Sequence, residues 1–108
     1  MRRFLALGLC LGVSSLAFAT GARAGTAITT QWDETDYSQE ECLRHAASAI
    51  RNAGFRALDD TQQSRYGTRG EYTAAIRCFT SMRVVFFVVA GPSNKQTPVY
   101  MDNIHSRF

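Results

Sequence analysis

Along residues 72–92, YTAAIRCFTSMRVVFFVVAGP, apolar and polar side chains first alternate and then give way to an unbroken apolar run. Tyr72, Ala74, Ile76 and Cys78 fall on one face of a strand with period two, and Thr73, Ala75, Arg77 and Phe79 on the other. TSM turns the chain, and RVVFFVVAG follows as a second strand, ended by Gly91-Pro92. With no polar residue from position 84 to 90, this strand is either central and buried on both faces or left with one uncovered apolar face. The pair reads as a hairpin.

A period of 3.6 takes over in YSQEECLRHAASAIRNAGF. Cys42, Ala46, Ala49, Ile50 and Ala53 form one stripe, which predicts a helix lying on a sheet. Ser38 stands at its N-cap with Glu41 three residues on, the spacing of a capping box, and Tyr37 before the cap is placed to pack on Cys42. Gly54 sits where a left-handed C-cap belongs, with Phe55 beyond it to contact Ile50. A second, shorter helix is predicted near the C-terminus. Thr97 is its cap, Pro98 its first residue, and Val99, Met101, Ile104, His105 and Phe108 its apolar stripe.

Before the first helix, residues 26–32 are β-prone and alternate, with Ile28, Thr30 and Trp32 on one side and Ala27, Thr29 and Gln31 on the other. An acidic turn is expected at residues 33–36. Between the helix and the hairpin, RALDDTQQSRYGTRGEY lacks periodicity. RYGTRG, with two glycines, reads as a tight turn bearing solvated arginines, and it lacks the lysine and spacing of a phosphate-cradling loop.

The first 24 residues, MRRFLALGLCLGVSSLAFATGARA, combine two leading arginines, an apolar run and small residues at the end. That is the pattern of a secretory signal peptide, with a cut after Ala24 expected and one after Ala19 as the runner-up. The apolar run is shorter than a spanning helix needs, so no stable membrane anchor is expected after cleavage. Three of the twelve basic residues, Arg2, Arg3 and Arg23, lie in this leader, and the nine that remain equal the nine acidic residues. The chain from Gly25 is thus formally neutral, and its basic pI argues for no nucleic-acid partner.

A domain over residues 25–108 is small enough to need a staple. It has two cysteines, Cys42 and Cys78, and in an oxidising compartment such a pair is most simply a disulfide. A metal site would need two further ligands, with only His45 and His105 on offer, and a redox pair would show C-x-x-C. No metal and no cofactor are expected. The bond constrains topology. It brings the end of the Cys78 strand beside the start of the helix, where the first strand also ends. The strands near residues 26 and 72 then run parallel, the strand at 84 runs opposite, and both helices cover one face. The predicted fold is α+β: a two-layer β-α-β-β-α sandwich, loosely ferredoxin-like, with three or four strands. Residues 55–63 climb back along the sheet or form a short edge strand.

A Cys-bearing helix ending in AGF, then GEYTAAIRC, then VVFFVVAGP and a C-terminal helix resembles a type of small exported bacterial protein. The resemblance covers the chain from Cys42 onward; it implies the layout and carries over no catalytic residue.

No nucleophile-base-acid set is visible, so a non-enzymatic binding module, periplasmic or secreted, is the expected function. Its candidate surface is the uncovered sheet face, assigned to Thr73, Ala75, Arg77, Phe79, Val85, Phe87 and Val89, which suits a protein partner or self-association. The alternative is an inhibitor or immunity-type protein. It would act on an enzyme of the same compartment through a protruding loop carrying Arg65, Tyr66 and Arg69.

Overall fold

The computed structural model describes residues 25–108, and the expected leader lies outside them. Five strands and two helices follow in the order β1 (Ala27–Glu34), α1 (Gln39–Asn52), β2 (Arg56–Ala57), β3 (Ser64–Arg69), β4 (Tyr72–Phe79), β5 (Val84–Gly91) and α2 (Gln96–Arg107). The strands form one antiparallel sheet in the order β1-β5-β4-β3-β2. Both helices lie on the same face. The α+β sandwich with one disulfide is as expected, but with five strands rather than three or four. β1 and β4 each pair antiparallel with β5, so they run parallel to one another on either side of it.

Local chemistry accounts for α1. The Ser38 side chain accepts from the Glu41 N–H, and the Glu41 carboxylate accepts from the Ser38 N–H, both at 3.1 Å. Two donors that the first turn would leave unpaired are thereby satisfied. At the other end the Gly54 N–H reaches the Arg51 carbonyl and the Phe55 N–H reaches the Ile50 carbonyl, a Schellman stop with Gly54 at φ +88°. Cys42, Leu43, Ala46, Ala49, Ile50 and Ala53 are buried beneath the helix, with alanines allowing it to lie close on the sheet. Tyr37 stacks on the His45 ring at 4.2 Å between centroids.

The disulfide between Cys42 and Cys78 spans Cα atoms 6.1 Å apart and ties the first turn of α1 to the end of β4. The core between the layers is built from Ala74, Ile76 and Cys78 of β4, Val85, Phe87 and Val89 of β5, the α1 stripe, and Met101 and Ile104 of α2. Each large apolar side chain among these, fully buried, contributes about 1.5–3 kcal/mol of transfer free energy.

Three expectations need correction. RYGTRG is the body of β3 rather than a turn. Gly67 sits in the strand because a Cβ there would collide with Ile50 and Phe55, and the two-residue turn falls at Gly70-Glu71, where Gly70 has φ +59°. The acidic turn is shorter than expected, because β1 runs on through Asp33 and Glu34. Thr97 does not cap α2. The Ser93 hydroxyl accepts from the Lys95 and Gln96 N–H groups, while Thr97 is buried inside the first turn and Val99 is exposed.

Candidate functional site

β1 carries its alternation in an unusual sense. Thr29, Gln31 and Asp33 face the helix layer, while its two large apolar side chains, Ile28 and Trp32, face away together with Thr30 and Glu34. On the inner side the Thr29 and Thr97 hydroxyls bond at 2.8 Å. His105 Nε2 donates to Asp33 Oδ2 at 2.5 Å, with the Gln31 side-chain amide 3.0 Å from the same nitrogen. These bonds anchor α2 to the edge of the sheet. On the outer side Ile28 is 64% exposed and Trp32 59%. A one-residue slip of register would exchange the two sets, so the bonds to α2 hold the apolar set outward.

The strand register assembles a continuous apolar face from these positions, because directly opposed residues in an antiparallel pair share a face. Trp32, Phe86 and Arg77 stand in one row across β1, β5 and β4. Thr30, Val88, Ala75 and Tyr66 form the next row, and Ile28, Ala90 and Thr73 the one beyond. Val84 and Phe79 close the lower end. No helix covers this side among the described residues. Val84, Phe86 and Val88 are only half-buried, screened by flanking strands alone, and Phe79 and Met82 are exposed. The Arg77 guanidinium lies 5.3 Å from the centre of the Phe79 ring, a cation over an aromatic face at the rim.

The expected surface residues divide accordingly. Thr73, Ala75, Arg77 and Phe79 lie on the open face. Val85, Phe87 and Val89 do not: they are buried beneath the helices at 0%, 0% and 1% exposure, and Val84, Phe86 and Val88 take the open side instead. Of the residues assigned to a protruding loop, Arg65, Tyr66 and Arg69 are all in β3. Tyr66 joins the open face. Arg65 pairs with Asp60 at 3.4 Å and donates to the Thr61 carbonyl at 2.7 Å. Arg69 donates to the Ala53 carbonyl at 2.9 Å and lies over the Tyr100 ring. Both arginines thus brace their own fold. Sequence reasoning missed Ile28 and Trp32 as surface residues; their signal was an aromatic and a β-branched side chain alternating with Thr29 and Gln31.

Among the described residues, no group of three or more histidine, cysteine, aspartate or glutamate side chains stands together as a metal site. His105 and Asp33 form a close pair, and among the described residues no serine or cysteine is bonded to either. The carboxyl of Glu41 is held below the usual glutamate range by the Ser38 N–H and then the Ser38 hydroxyl, in keeping with a capping role. No helix of the described residues is long and apolar enough to cross a membrane. The chain matches no protein-family model and no curated protein.

Proposed function

We propose that this is an exported, non-enzymatic interaction module that binds a protein partner through the open face of its sheet. The observation that carries the reading is the outward display of Ile28 and Trp32 beside Phe86 and Val88. A contiguous apolar face rimmed by an arginine and aromatic rings has the composition of an interface centre. A partner that covered Trp32, 59% exposed, would take most of an aromatic side chain out of water, and Phe86, already half-buried, would add less. Export is supported by the Cys42–Cys78 bond, which persists in an oxidising compartment, and by the signal-peptide pattern of the first 24 residues. The inhibitor reading has less support, since Arg65 and Arg69 lie in β3 and are engaged by the Thr61 and Ala53 carbonyls.

The test compares two neighbouring phenylalanines in the exported protein. Phe86→Arg changes a half-buried side chain of the open face and is expected to leave the thermal melt nearly unchanged while abolishing capture of the partner. Phe87→Arg places a charge in the core and is expected to unfold the chain. A folded Phe86→Arg protein that captures the same partner as the wild type contradicts the proposal.

A further inference from the structure

β1 is the last strand on its side of the sheet, and among the described residues nothing pairs with its outer edge. It is eight residues long, contains no proline or lysine, confines its charges to Asp33 and Glu34 at one end, and keeps unbroken register with β5 from Ala27 to Glu34, so no bulge turns it away. Sheet proteins ordinarily blunt such an edge with one of these devices. The opposite edge, β2, is only two residues long.

We propose that β1 is the seam of a dimer. Two copies join antiparallel about Thr30, extending the sheet to ten strands and setting Ile28 of each against Trp32 of the other.

Three observations select a second copy as the occupant. The first is the symmetry of the strand. Ile28 and Trp32, both well exposed, stand two residues to either side of Thr30. An antiparallel pairing centred there opposes each to the other across the two-fold. Centred on Gln31, it would set Ile28 against Glu34. Centred on Thr29, it would set Trp32 against Thr26. Aromatic and β-branched side chains directly opposed across strands form one of the favourable pairings.

The second is charge. Asp33 and Glu34 stand together at one end of β1, while Lys95 shares a crevice with Ala27 at the other end. The two-fold keeps the acidic ends apart and brings each beside Lys95 of the second copy. Lys95 has no ion pair among the described residues.

The third is the fit of the helix layer. Pairing about Thr30 keeps open-face residues opposite open-face residues, so both helix layers lie on the same side. α2 lies over the β1–β5 pair, through Thr97 to Thr29 and through His105 to Gln31 and Phe87. Its axis is therefore inboard of β1 by roughly half a strand spacing. Across the seam the two α2 axes come to about 10 Å, a distance at which helices pack. The seam thus adds a helix contact to the strand pairing, as an interface of stable size needs.

The proposal stands apart from the partner reading. A dimer without a partner, or a partner bound by a monomer, fails only one of the two. The test is sedimentation of the exported protein with variants at exposed positions, each checked for folding by its thermal melt. The wild type is expected at twice the chain mass. Thr30→Lys and Thr30→Glu each set like charges against one another at the two-fold and are expected at the single-chain mass. Their equimolar mixture is expected to recover the double mass, since the two charges then face each other. Thr73→Lys, on the open face but remote from the seam, is expected to stay dimeric. A wild type that remains a single chain at millimolar concentration overturns the proposal. So does a dimer that survives Thr30→Lys, a mixture that stays monomeric, or a dimer broken by Thr73→Lys, which would mark the open face as the contact instead.

Discussion

Phe86 and Phe87 are adjacent in the chain, and their side chains meet different surroundings. Phe87 is fully enclosed, with the His105 ring 5.1 Å and the Phe108 ring 5.3 Å away, edge to face. Phe87→Ala is expected to cost about 3–5 kcal/mol, and Phe86→Ala well under half of that, as read from denaturant midpoints. The alternation of the two was legible in the sequence, but the side on which each falls was not. The reason is Arg83. Read as a strand residue after a three-residue TSM turn, it would place Val84 opposite Cys78 and turn Val84, Phe86 and Val88 inward. In the structure Arg83 takes φ +60° and belongs to the turn, so Phe79 opposes Val84 and Cys78 opposes Val85. A single residue in the connection exchanged the two faces of β5. Gly91 is constrained at the same scale. The Tyr72 ring lies where a Cβ would stand, so Gly91→Ala is expected to destabilise by about 1–3 kcal/mol through displacement of that ring.

Among the elements, α1 was the most legible, because cap, stripe and stop are each written in adjacent residues. Its capping box makes a prediction about pH. The Glu41 carboxyl has its pKa lowered in the folded state by the Ser38 N–H and then the Ser38 hydroxyl. A lowered folded value means that the bond stabilises the fold above the ordinary glutamate pKa. The contribution fades as pH falls through that value and then through the lowered one. Thermal melts of the wild type and Glu41→Gln are expected to differ at neutral pH and to converge in acid; a difference that grows in acid contradicts the assignment. Ser38→Ala removes the cap itself and is expected to cost about 1 kcal/mol. β3 was the least legible element. Its glycine serves a close approach by α1, a long-range cause that composition alone does not reveal. The sense of β1 was hidden for the same reason: its inner partners, Thr97 and His105, lie some seventy residues away.

For the molecule as a whole, the disulfide and the two-layer arrangement followed from two cysteines and a few periodicities, because a bond from helix start to strand end leaves few topologies. Closing a 36-residue separation is expected to contribute about 3–4 kcal/mol, so the Cys42→Ala, Cys78→Ala double variant should melt on the order of 10 °C or more below the wild type. What the whole fold adds is an imbalance between its faces. One side of the sheet carries both helices and the disulfide, and the other carries Trp32, Phe86, Val88 and Arg77 with nothing over them among the described residues. The most direct test of that asymmetry is site-specific photo-crosslinking in cells that produce the protein. A benzophenone side chain would be placed at Phe86 on the open face or at Asp102 on the exposed side of α2. A discrete adduct with a second, different protein is predicted from position 86 and none from position 102. No adduct from position 86, or equal adducts from both, would contradict a protein-binding role for the open face.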